Sequence, residues 1–232
     1  MDAGDLSGVR AIVTGAAGGL GAAIVEAYLQ RGARIAAHAR DVGQLAALGE
    51  RAHGQRGRVS AYGADLADPV AAAAVGARMA DDLGRVDVLI NSAALLGERA
   101  PLLNQDFALW RRVLDVNITG LLAITREVVE RMSAGAAIVN VTSGAAGRAG
   151  WGAYAISKLA VNALTDMLRE ELADRRIRCV AVDPGAMRTP MRAAAHPEED
   201  PATLPTPAER VAVFVAIGAG VDPGPRVQAT AW

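Results

Sequence analysis

With 232 residues and a hydrophobic fraction of 52 %, the chain is long enough for one α/β domain with a full core and short for two. A net charge of −1 excludes the electrostatic footprint of a nucleic-acid binder. A single cysteine excludes an internal disulfide framework, while the acidic start Met1 to Asp5 and the lack of any membrane-length apolar run predict a soluble, cytoplasmic protein.

The first apolar run, Val9 to Val13, leads into the glycine-rich stretch Thr14 to Gly21. A helical pattern with Ile24, Tyr28 and Leu29 on one side follows and stops at Arg31-Gly32. Strand, glycine turn and helix together present backbone N–H groups and a helix N-terminus to a phosphate, and a Cβ in the turn would hold the phosphate away. A second strand, Arg34 to His38, ends at Ala39-Arg40. A carboxylate at this point in a dinucleotide fold binds the ribose 2′-hydroxyl of NAD, whereas an arginine accommodates the 2′-phosphate of NADP. Arg40 therefore favours NADP(H) over NAD(H), and Asp41 reads as the cap of the next helix, Val42 to Ala52. The basic stretch Arg51 to Arg58 is interrupted by glycines and reads as a solvated loop.

Strand three, Arg58 to Gly63, runs into Asp65-Leu66, and Asp68-Pro69 opens another helix. Strand four, Val86 to Ile90, ends at Asn91-Ser92-Ala93-Ala94. A long amphipathic helix is predicted from about Asn104 to Met132, with Asn117 in its middle. Strand five, Ala136 to Val141, ends at Thr142-Ser143-Gly144, and a helix reaching about Asp174 follows. Strand six, Arg178 to Val182, holds Cys179 as a small core residue and ends at Asp183-Pro184-Gly185. A last short strand is expected around Arg226 to Ala229. Alternating helices and near-continuous apolar strands make a parallel sheet covered on both faces, a Rossmann-like, doubly wound α/β fold in a single domain spanning 1–232. Ligands bind such sheets beyond the carboxyl ends of the strands, where every polar cluster named above falls.

Lys158 is the only lysine in the chain, and it follows Tyr154, one of three tyrosines, by four positions. On a helix the two share a face one turn apart. An ammonium there is expected to pull the phenol down from its usual value of about 10. Arginine, with its bulkier planar fork, serves that purpose less well.

Taken together, Thr14-Gly15, Gly19, Gly21, Asp65-Leu66, Asn91 to Ala94, Asn117, Ser143, Tyr154 with Lys158, and Pro184-Gly185 with Thr189 resemble the classical short-chain dehydrogenase/reductase family over roughly residues 7 to 218. The resemblance implies an NAD(P)-dependent oxidoreductase, with reduction of a small to medium ketone or aldehyde by NADPH, or the reverse alcohol oxidation, as the expected reaction. It implies Tyr154 as proton donor or acceptor and Lys158 as its modulator and ribose ligand. Ser143 would polarise the substrate oxygen, and Asn117 would hold a water that links Lys158 to solvent. Gly15, Gly19 and Leu20 would line the pyrophosphate, Asp65 and Leu66 the adenine, and Asn91 and Ala93 the adenosine ribose. Pro184, Gly185, Met187 and Thr189 would hold the nicotinamide carboxamide.

The resemblance further implies a mobile lid at about 186–205 and a homodimer or homotetramer. Contacts between subunits would run through the helices at 104–132 and 151–174. No metal is expected. Ala94 replaces the family's usual glycine, and the Ser143 to Tyr154 segment is about two residues short. Leu95, Leu96 and Trp151 are candidates for the pocket wall, Trp151 equally for a subunit contact. The competing readings are a dinucleotide-binding sensor without turnover, against which the intact serine, tyrosine and lysine argue, and an isomerase or dehydratase, whose longer substrate domain is missing here.

Overall fold

The protein, described from a computed structural model, is resolved over residues 4–52 and 54–232. The acidic start Met1 to Ala3 and His53, within the basic stretch Arg51 to Arg58, lie outside the described residues. Seven strands form one parallel sheet: β1 Arg10–Thr14, β2 Arg34–Ala39, β3 Arg58–Gly63, β4 Val86–Asn91, β5 Met132–Val141, β6 Arg178–Asp183 and β7 Arg226–Gln228. Their order is β3-β2-β1-β4-β5-β6-β7. The winding reverses between β1 and β4, which opens a crevice at their carboxyl ends.

Helices α1 (Gly19–Gln30), α2 (Ala46–Ala52) and α8 (Ala212–Gly218) cover one face, where Val13, Ile24, Tyr28, Leu48 and Phe214 share a core. The other face carries α3 (Pro69–Leu83) and α5 (Leu121–Val129), and buries Ile12, Met79, Leu89, Ile124 and Cys179. Consecutive residues such as Ile12 and Val13 thus enter different cores, which is why the strands read as unbroken apolar runs. Burial pushes the Cys179 thiol up to about 12, as befits a packed residue and not a nucleophile.

The predicted helix from Asn104 to Met132 is divided. Asp106 caps α4 (Phe107–Leu114) by accepting the N–H of Leu109 at 2.7 Å, which leaves Asn104 in a preceding turn. Asp115–Gly120 is a widened π-helical turn leading into α5. A Cβ on Gly120 would meet the carbonyl oxygen of Leu66 at 2.2 Å, so backbone contact at this turn demands glycine. Met132 already belongs to β5, paired with Val86. The later helix, α6, spans Gly152–Glu171 and stops short of the predicted Asp174, and α7 (Pro190–Ala195) lies in the segment expected to form the lid. Among the described residues no helix is long and apolar enough to cross a membrane.

Candidate active site

The crevice is closed at its base by backbone contact. Gly15 takes a φ of +69°, and a Cβ there would stand 2.7 Å from the Cα of Ala93. Thr14 Oγ1 accepts the N–H groups of Ser92 and Ala93, both at 3.1 Å, and pins the end of β4 to that of β1. Gly18, by contrast, faces open space and stands at the N-cap of α1 with no side-chain hydrogen bond. No acidic residue occupies the first turn of α1. The free N–H groups and the positive end of the helix dipole face outward there, which suits an anion.

Two cavities open at this edge. The larger, about 520 Å³, runs from Gly15, Gly19 and Leu20 past Ala93 to Ser143, Tyr154 and Lys158, and on to Pro184, Gly185, Met187 and Thr189. The smaller, about 210 Å³, is lined by Gly15, His38, Arg40, Asp65, Leu66, Ala93 and Arg112. Leu96 faces the larger cavity with Trp151, whereas Leu95 faces the smaller one.

Tyr154 and Lys158 both point inward from the start of α6 and are buried. Lys158 Nζ donates to the carbonyl of Val141 at 2.7 Å, and burial brings its pKa down to about 8. The expected lowering of Tyr154 is not what the protein alone produces. Burial raises the phenol, a hydrogen bond with Ser143 opposes the rise, and the charge of Asp183 adds to it. The ammonium lies 5.7 Å from the Tyr154 ring centre, turned toward a carbonyl because a buried cation needs an acceptor. Ser143 Oγ also accepts the N–H of Ala145 at 3.1 Å, so it shapes the turn after β5 as well as meeting the phenol.

Two of the predicted site residues stand apart from the cavities. Asn117, 1 % exposed, accepts the N–H of Leu95 at 2.7 Å and donates to Leu95 O at 3.0 Å and Ser157 Oγ at 2.9 Å. Its amide thus joins the loop after β4 to α6. Asn91 donates to Thr125 Oγ1 at 3.1 Å and Asn140 Oδ1 at 2.9 Å, which directs its side-chain amide into the core. Both side chains are buried; the Asn117 amide is hydrogen-bonded at both its oxygen and its nitrogen, whereas Asn91 Oδ1 finds no partner among the described residues.

At the end of β2, Asp41 accepts the N–H of Gly43 at 2.9 Å, the capping role expected of it, and Arg40 stands exposed at the rim of the smaller cavity. Asp65 accepts the N–H of Ala67 at 3.0 Å and pairs with Arg112 at 2.8 Å. These bonds, with the nearby Arg40 charge, hold its carboxyl below the usual range. Thr189 Oγ1 caps α7 by accepting the N–H of Arg192 at 3.1 Å and keeps its own O–H to donate. Arg112 and Asp183 escaped the sequence reading. Arg112 lies on the polar side of an amphipathic helix and looks like any solvated arginine, while Asp183 was legible only as the last residue of a strand.

The family model for short chain dehydrogenases matches residues 10–200. The chain belongs to the short chain dehydrogenase family. It is 31 % identical over 213 residues to the oxidoreductase YciK of Escherichia coli K12, covering 88 % of this chain and 83 % of that one. It is 36 % identical over 188 residues to the D-threitol dehydrogenase of Mycolicibacterium smegmatis, covering 79 % and 72 %. A short chain dehydrogenase from Shigella flexneri 2a, solved as a complex with NADP, superposes with a TM-score of 0.90 at 27 % identity, covering 98 % and 99 % of the two chains. As a short chain dehydrogenase the protein is an oxidoreductase acting on alcohol or carbonyl groups with a nicotinamide dinucleotide. Its residues fit such a group: the glycine edge that side chains would fill is open at Gly18, and the two cavities meet at Gly15 and Ala93.

Proposed function

We propose that the protein is an NADPH-dependent reductase of a small to medium ketone or aldehyde, able to run in reverse as an alcohol dehydrogenase. The observation that carries this reading is the buried Tyr154 at the wall of the larger cavity, with Ser143 and Lys158 lining the same cavity. A phenol protonated at neutral pH can give that proton to a substrate oxygen, which is the direction that reduction requires, although burial alone makes it a weaker acid.

The bound dinucleotide supplies the hydride. Ser143 and Tyr154 receive the substrate oxygen, and Tyr154 gives it a proton as the carbonyl becomes an alcohol. Lys158 lines the same cavity and would hold the cofactor's ribose. Asn117 acts by holding the loop after β4 against Ser157 on α6. Gly15, Gly19 and Leu20 receive the pyrophosphate at the start of α1, and Asp65 and Leu66 flank the adenine, with Ala93 beside its ribose. Pro184, Gly185, Met187 and Thr189 meet the carboxamide, and the segment 186–205 closes over the substrate as a lid.

For NADPH over NADH the support is local: Ala39 ends β2, Asp41 is occupied in its cap, and Arg40 is left to meet a 2′-phosphate. The Shigella structure that holds NADP supports it from outside. We further propose a cytoplasmic homodimer or homotetramer, supported by exposed apolar side chains on α4 and α6, among them Phe107, Leu159 and Met167. The test is NADPH oxidation by purified protein across a broad panel of ketones and aldehydes. Steady consumption with at least one class is expected, and none with any of them would defeat the proposal.

A further inference from the structure

Trp151 stands one residue before α6, and its ring is met from three directions. It lies 6.1 Å from the ring of Tyr154 and 5.6 Å from that of His196. The guanidinium of Arg99, from the loop after β4, stacks 4.3 Å over it. The same guanidinium donates from Nη1 to the carbonyl of Ala195, the last residue of α7, with His196 Nδ1 3.5 Å from that nitrogen. A carbonyl in the last turn of a helix has no partner within the helix, so Arg99 satisfies a group that would otherwise rely on water.

The α7 segment is tied chiefly to itself. Arg192 and Glu199 form a two-pronged pair at 2.6 and 2.7 Å, and Arg188 Nε donates to Pro201 O at 2.9 Å. These bonds make residues 188–204 a unit but do not anchor it to the far side of the cavity mouth. Arg99 does, because one planar fork joins the loop after β4, the ring before α6 and the end of α7.

We propose that Arg99 is a positioning residue, a clasp that holds the α7 segment against Trp151 and so sets the cavity wall beside Tyr154. That this wall encloses a substrate rests on the proposed function; the clasp itself does not.

Hydrogen–deuterium exchange on the full chain tests it. The N–H groups of Ala193 and His196 bond to Thr189 O and Arg192 O within α7. Arg99→Ala should speed their exchange by about tenfold while amides in β1 and β5, which report on the fold, stay unchanged. Trp151→Leu should loosen the same amides, and the double variant should loosen them by less than the sum of the two single effects, because the changes share the Arg99–Trp151 contact while each also breaks one of its own. Arg99→Lys, which keeps the charge but lacks the fork, should fall between Arg99→Ala and the parent chain. Faster α7 exchange in Arg99→Ala supports the clasp even where Tyr154→Phe retains turnover, a result that defeats only the catalytic reading. Unchanged α7 exchange in Arg99→Ala, or additive effects in the double variant, would overturn the proposal.

Discussion

In the variant Lys158→Met a buried ammonium gives way to an uncharged side chain of similar length. Burial brings Lys158 down to about 8, whereas an unfolded chain holds lysine at roughly 10.4. Keeping the proton at pH 7 therefore costs the native state about 3 kcal/mol. The substitution also removes the 2.7 Å bond to Val141 O, a charged hydrogen bond worth about 1.5–3 kcal/mol. The balance is a gain of up to about 1.5 kcal/mol at neutral pH, or an increase of up to about 3–6 °C in Tm for a domain of this size. The sign depends on pH. Between about pH 8 and pH 10.4 the unfolded chain binds the proton more strongly than the folded one, so the parent protein gains stability as pH rises and the variant does not. Urea unfolding followed by circular dichroism at pH 7 and pH 9.5 should show the variant equal or ahead at the lower pH and behind at the higher. A stability difference that ignores pH, or a variant several kcal/mol weaker at pH 7, would refute the reasoning. Turnover should be lost in either buffer, because the proposed role of Lys158 needs its ammonium.

Three further expectations follow from the same geometry. Arg40→Ala should raise KM for NADPH by about tenfold, a loss of roughly 1.4 kcal/mol, and leave KM for NADH unchanged; equal effects on both would remove Arg40 from the 2′-phosphate. Gly15→Ala, which sets a Cβ 2.7 Å from the Cα of Ala93 at a φ of +69°, should abolish dinucleotide binding by fluorescence titration and lower Tm; normal binding would contradict the proposed cradle. Light scattering at micromolar concentration should give a dimer or tetramer, with Phe107→Ser and Leu159→Ser together shifting it toward monomer, and a monomeric parent chain would contradict the assembly proposed from those exposed side chains.

The central strands were legible because they are buried on both faces and so read as apolar runs, as in Ala11 to Val13 and Cys179 to Val182, whereas the edge strands β3 and β7 are largely exposed. The caps were legible where a short polar residue precedes a helix, as at Asp41 and Asp68. The division of the predicted helix at 104–132 was not, since it depends on Gly120 meeting the Leu66 backbone and on β5 starting at Met132, both contacts between distant segments. Tyr154 and Lys158 were legible as a pair on one helical face. Their electrostatics were not, because burial and the Val141 carbonyl decide them, and neither follows from an i,i+4 spacing. Asn91 and Asn117 show the limit from the other side. An amide beside a site and an amide packed beneath it look the same in sequence, and only the partners Thr125, Asn140, Leu95 and Ser157 tell them apart. The clasp of Arg99 on Trp151 and Ala195 spans 96 residues between its furthest members and left no local signal.

The central claim is that the Tyr154 hydroxyl delivers the proton to the substrate oxygen, and Tyr154→Phe tests it most directly by removing that hydroxyl while keeping the ring. With NADPH and a ketone that the parent enzyme reduces, kcat should fall by about 10²–10⁴-fold, the range for loss of a positioned general acid, while NADPH binding stays within a factor of about two. Turnover close to that of the parent enzyme would contradict the account.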